Sequence, residues 1–170
     1  MLNAEFSKTI LDLLVNQGSN DGYGGYDSEN KRNLPYSELL TTTKANLALF
    51  TTMPDSHGEG AVEVTLDGYA RKSLYGTGIS GNMQFGTPAA WDDAEGMYSI
   101  SNTDEIQMHA ISEDASGEET VVGFGIYGGT VEKLLAWGKL VDDSGHDATV
   151  TLRAGSVPIF YTGKFKLMMA

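Results

Sequence analysis

The chain has 170 residues, no cysteine, and 23 acidic against 11 basic side chains, a formal net charge of −12. That length supports one domain with a real core. The charge argues against a nucleic-acid partner or an anionic membrane surface. The missing thiols exclude disulfide frameworks, zinc–thiolate sites and cysteine nucleophiles.

No apolar run approaches the ~20 residues that cross a bilayer. Glu5 stands where a secretory leader would carry positive charge, so no leader is expected. A cysteine-free chain of this kind fits the cytoplasm, or a particle assembled there. Glycine is abundant, at 21 residues against 4 prolines, which suits tight β-turns and close backbone packing better than disorder.

In chain order, residues 3–17 (NAEFSKTILDLLVNQ) carry a helical pattern. Phe6, Ile10, Leu13 and Leu14 share one face, Asn3 is a fitting N-cap and Gly18 a fitting stop. Residues 18–35 read as a polar, glycine-rich loop, with Tyr23 and Tyr26 as candidate surface contacts. Residues 44–52 (KANLALFTT) are nearly continuously apolar at 47–50, the mark of a buried strand.

The stretch 61–75 (AVEVTLDGYARKSLY) reads as a hairpin. Val62, Val64 and Leu66 alternate with polar residues, Asp67-Gly68 is a turn dipeptide, and the strand resumes at Tyr69. Arg71, one of only three arginines, sits among apolar neighbours and needs an acidic or carbonyl partner. Glu63, across the turn, is the geometric candidate.

Residues 76–91 are glycine-punctuated, with short strands expected around Ile79 and at 83–85. Strands follow at 97–100 and 105–111, separated by the turn SNTD, and then an acidic turn at 113–119. Residues 120–127 (TVVGFGIY) read as a central strand. Phe124 and Ile126 share one face if Gly123 and Gly125 line the other against something bulky. In the strand 133–140, Leu135 and Trp137 oppose Leu134 and Ala136. DDSGHD (142–147) is a turn, and strands at 148–155 and 160–169 close the chain.

No catalytic constellation emerges from these elements. His57, His109 and His146 lie in separate segments without a surrounding motif, so solvated or packed imidazoles are expected. Residues 76–81 match GxGxxG in letters but lack the βαβ frame of a dinucleotide site. DDSGHD gathers carboxylates around a glycine without the EF-hand pattern; a solvated turn is the expectation, a weak surface cation site the alternative. No metal and no cofactor is expected.

The ordered pieces LALFTTMP (47–54), VEV (62–64), GYAR (68–71), SNTDEI (101–106), GFGIY (123–127), LLAWGKL (134–140) and the close at 154–167 carry a resemblance. Together they resemble a family of small structural proteins of tailed bacteriophages, labelled tail-fibre or virion structural proteins. The similarity spans residues 44–170, and Lys72 departs from the Gln or Val that the family has after G-Y-A-R. The resemblance implies a non-enzymatic virion component. Its partners would be other copies of itself, as a homo-oligomer with a trimer among the symmetric options, and other virion proteins.

The expectation is therefore all-β: one domain, residues 1–170, an antiparallel β-sandwich of jelly-roll type over 44–170 with a short N-terminal helix. Glu63, Tyr69 and Arg71 are the expected structural or interface residues, and Trp91, Tyr23 and Tyr26 the candidate surface contacts. Loops 18–35, 76–91 and 112–119 are expected to present outward contacts. Three rivals remain. They are a capsid decoration or cement protein, a carbohydrate-binding module using Trp91, Tyr23 and Tyr26 to stack on host glycans, and a hydrolase on a jelly roll.

Overall fold

The computed structural model describes residues 26–27, 32–33, 46–74, 90–93, 96–128 and 133–169. Among them there is no helix, and every strand pairing is antiparallel. The strands are β1 (Tyr26–Asp27), β2 (Arg32–Asn33), β3 (Asn46–Thr52), β4 (Val62–Glu63), β5 (Lys72–Ser73), β6 (Ala90–Asp92) and β7 (Met97–Ser101). The rest are β8 (Ile106–Gln107), β9 (Glu118–Val121), β10 (Gly123–Gly128), β11 (Lys133–Lys139), β12 (Val150–Arg153), β13 (Ile159–Phe160) and β14 (Lys166–Met169). The largest sheet has five strands in the order β11-β10-β3-β4, with β5 also on β3; none of the sheets closes on itself.

β3 is central because its sequence supplies two apolar faces. Leu47 and Leu49 enter the main core, while Ala48 and Phe50 lie on the opposite face, and all four are buried. β10 beside it is built to match. Ile126 and Phe124 point to the main core, and Gly125 leaves room on the other face for the Phe50 ring. A Cβ at Gly125 would lie 2.6 Å from Phe50 Cε2 and 2.7 Å from Leu134 Cδ1. The expected division of β10 into an aromatic-aliphatic face and a glycine face is present, and the bulky groups that the glycine face accommodates are Phe50 at Gly125 and Met53 at Gly123.

On the main-core side, Phe124 meets Phe165 at 4.7 Å between ring centroids, and Phe165 meets Phe160 at 5.3 Å. This aromatic group joins the five-stranded sheet to the segment 159–167. Ile100, Ile106, Val121 and Leu152 complete the contact from β7, β8, β9 and β12.

Asn102 is the buried polar residue among the described residues. Its Nδ2 donates to the carbonyls of Asp104 (2.8 Å) and Tyr161 (3.0 Å), and its Oδ1 accepts from the Phe165 amide (2.9 Å). Its own backbone bonds Phe165 and Gly163. One buried side chain thus bonds three backbone groups from two segments.

Several sequence expectations are corrected. The stretch 61–75 is not a hairpin: β4 and β5 both run antiparallel to β3 and pair with it rather than with each other. The Asp67-Gly68 turn is there, with Tyr69 N bonding Leu66 O, but it lies within an excursion away from the sheet. Val62 is accordingly 48% exposed, whereas Val64 and Leu66 are buried by the excursion. The expected strand 160–169 is two strands, β13 on β8 and β14 on β7, separated by a turn that Asn102 holds.

Strand 105–111 is regular only at 106–107, and Ala110 is exposed where alternation places it inside. Leu134 packs against Gly125 on the Phe50 face rather than beside Ala136, because a bulge in β11 shifts the register between Ile126 and Tyr127. The polar stretch 18–35, expected to be loop, contains the β1–β2 ladder, in which Tyr26 and Asp27 pair with Asn33 and Arg32. The acidic turn at 113–119 ends early, as β9 begins at Glu118. The helix expected at 3–17, Tyr23, and the strands expected around 79 and 83–85 lie outside the described residues.

Two loops share one design. Asp55 Oδ1 accepts from the amides of His57 and Glu59, and Asp142 Oδ1 from those of Ser144 and His146. In each, the Asp amide bonds the carbonyl four residues on, and a glycine at φ +81° makes the turn.

Gly125→Ala is expected to lower stability by roughly 1–3 kcal/mol through overpacking against Phe50. The check is the urea unfolding midpoint; an unchanged midpoint would mean that Phe50 can move aside freely.

Candidate assembly surface

Where β4 leaves β3 and before β5 returns, the backbone of β3 loses its neighbour. The Val64 amide still reaches Leu49 O (3.1 Å), but the Leu49 amide has no strand opposite it. The Tyr69 hydroxyl takes that place, accepting from Leu49 N at 2.9 Å. The same hydroxyl donates to Glu63 Oε1 at 2.7 Å. Glu63 is held by Arg71, whose Nε lies 3.1 Å from both carboxylate oxygens and whose Nη2 lies 3.0 Å from Oε2. Arg71 then stacks its guanidinium 3.8 Å from the ring centroid of Tyr127 on β10.

The chain of contacts runs backbone, phenol, carboxylate, guanidinium, aromatic ring. Burial, followed by the hydrogen bond to Glu63 and its charge, pushes the Tyr69 phenol well above its ordinary range, against the opposing Leu49 amide. It stays a neutral donor throughout the physiological range. Burial also raises the Tyr127 phenol, with Arg71 opposing.

The second feature is a cleft of about 650 Å³. One wall is the edge strand β11 with the hairpin arm that follows it; the other is the segment from β13 to the edge strand β14. A smaller pocket of about 200 Å³ adjoins it, lined wholly by apolar residues including Leu49, Val121, Leu152 and Phe160. Leu140, Val141, Ile159 and Phe160 line both. A cavity of about 150 Å³ accepts a benzene ring, so the smaller pocket suits one large apolar side chain. At the mouths stand Val141 (58% exposed) and Tyr161 (61%), with Val150, Ile159 and Met168 also exposed. Lys164–Asp143 and Lys139–Asp147 pairs sit at the rim, exposed and so of little weight for stability.

The structure thus brings Glu63, Tyr69 and Arg71 together, with the ion pair expected between Glu63 and Arg71. Trp91 lies on β6, 52% exposed, its ring edge-on to Tyr98 at 5.4 Å. Tyr26 is on β1, a strand rather than a loop. Of loop 112–119, Glu119 is engaged at the surface with another segment: its carboxylate accepts from the amide and hydroxyl of Thr65. The three histidines are exposed in separate segments. The Asp142 carboxylate of DDSGHD is held below its ordinary pKa by the His146 and Ser144 amides that it accepts from. Among the described residues, no three His, Asp or Glu side chains converge as a metal site.

Sequence reasoning missed the cleft and Asn102. One signal for the cleft was available: in Lys166-Leu167-Met168, the methionine falls on the outward position of a period-2 strand. No protein-family model matches the chain, and no curated protein matches it in sequence.

Tyr69→Phe is expected to cost about 1–3 kcal/mol, because Leu49 N–H loses its acceptor inside the sheet. Hydrogen exchange at the Leu49 amide should accelerate more than at its neighbours. The folded phenol keeps its proton to higher pH than the unfolded one. Its contribution is therefore complete below about pH 10, the unfolded value, and is lost as pH rises toward the folded one. The alkaline loss of stability should be shallower in Tyr69→Phe than in the parent; equal slopes would contradict the assignment.

Proposed function

We propose that this chain is a non-enzymatic structural component of a tailed-phage virion, a tail-fibre-like or particle-decorating module that works by fitting against neighbouring proteins. The observation that carries the reading is the apolar cleft beside β11 and β14, with exposed Val141, Ile159, Tyr161 and Met168 around it. A contiguous apolar surface of this kind on an acidic chain marks a place where another protein is covered. The ordered motifs add support, since their polar residues Glu63, Arg71 and Asn102 serve to hold the backbone in shape. In this reading the domain is a β-sandwich of jelly-roll type. The five-stranded sheet is one layer, and the strands from β7, β8 and β9 with their partners form the other, over the Phe124–Phe160–Phe165 group.

Mass spectrometry of purified virions, with copy number, tests the proposal. The chain is expected in the particle. A handful of copies fits a tail role, and a number near that of the capsid subunit fits decoration. Absence from purified particles would overturn the reading.

A further inference from the structure

The 200 Å³ pocket has core residues on its inner side: Leu49 of β3, Val121 of β9 and Leu152 of β12, each at most 2% exposed. One flank is the arm that follows β11, with Leu140 and Ala148; the other is β13, with Ile159. Both flanks are pinned by backbone hydrogen bonds. On the arm, the Leu140 amide donates to Val122 O at 3.0 Å and the Ala148 amide to Leu140 O at 2.8 Å. On the other side, the Met108 amide donates to Pro158 O at 2.9 Å, and Ile159 and Phe160 pair with Gln107 and Ile106. Collapse of the walls onto one another would break these bonds, each of which has to be replaced where backbone is buried.

The space is therefore held open by the fold. Protein interiors are close-packed, and voids larger than a water molecule are few. Ala148 is a small residue where a longer side chain would occupy the gap. The lining also fixes what can enter. Every residue around the pocket is apolar, so no side chain offers a donor, an acceptor or a charge. A charged or strongly polar molecule would give up its hydration there for nothing. Water fares no better, since a buried water needs two or more polar partners. An apolar cavity of about 150 Å³ stays dry and takes up benzene, so one of about 200 Å³ has room for a methylated ring.

We infer that this pocket binds a small, uncharged, apolar molecule, of the bulk of a substituted benzene or an equally compact branched hydrocarbon. The molecule enters from the cleft, with which the pocket shares Leu140, Val141, Ile159 and Phe160. Binding needs no partner chain and does not rest on the assembly reading above.

The test is titration of the full chain with toluene, followed by methyl resonances in nuclear magnetic resonance. Saturable shifts are expected at the methyls of Leu49, Val121 and Leu152, with Overhauser contacts from them to the toluene ring. At free toluene ten times its dissociation constant, the ratio of folded to unfolded chain should rise roughly tenfold. Benzoate, a similar ring bearing a charge, is expected to bind roughly tenfold or more weakly than toluene. Ala148→Leu places a branched side chain in the space and is expected to abolish the shifts. The Overhauser contacts locate toluene without any substitution, so the test holds even where that variant fails to fold. An absence of saturable shifts overturns the inference. So does toluene binding that a folded Ala148→Leu leaves intact, or benzoate binding as tight as that of toluene. Each of these results leaves the virion reading to be decided separately, by copy number in the particle.

Discussion

The structure depends on what happens to one backbone amide. β3 is buried from Leu47 to Phe50, and the Leu49 N–H would face an empty position where the chain between β4 and β5 departs. An unpaired donor there costs about as much as a core truncation of modest size. The Tyr69 hydroxyl fills the gap, and everything attached to that hydroxyl follows from it. Glu63 orients the phenol, Arg71 neutralises Glu63, and Tyr127 gives Arg71 a face to lie on. The excursion at 64–71 is free to bury Val64 and Leu66 in the core because its departure leaves no donor stranded.

The same economy of partners recurs at Asn102. β13 and β14 pair with different strands, so the chain must turn between them, at 161–164, over the buried Asn102. A carboxamide with two donors and an acceptor can close such a turn; an aliphatic residue of the same size would give up the bonds to the Phe165 amide and the Tyr161 carbonyl. The exposed ion pairs near the cleft do no comparable work, since water competes for both partners.

Much of the sheet was legible in the sequence. The run Leu47 to Phe50 declared a strand buried on both faces, and the spacing of Gly123 and Gly125 against Phe124 and Ile126 declared the match beside it. The Glu63–Arg71 pair was legible because a lone arginine among apolar neighbours must find an anion. The broken edge was not, since alternation cannot distinguish two arms that pair with each other from two that pair with a third strand. Leu134 was misplaced because a bulge leaves no mark in a string of apolar residues. Asn102 sits in a sequence that reads as a solvated turn, and its burial depends on segments 58 and more residues away. The cleft depends on where two sheets stop, and the outward Met168 of β14 was its one local trace.

The paired Asp–Gly loops have a practical consequence. Their backbone groups are closed on the loop itself, so the fold does not read the side chain of Ser56 at the tip of the first. A cysteine placed there would be the sole thiol of the molecule. A fluorophore or spin label attached to it would ride on a rigid loop, and distances between labels could report how copies are spaced.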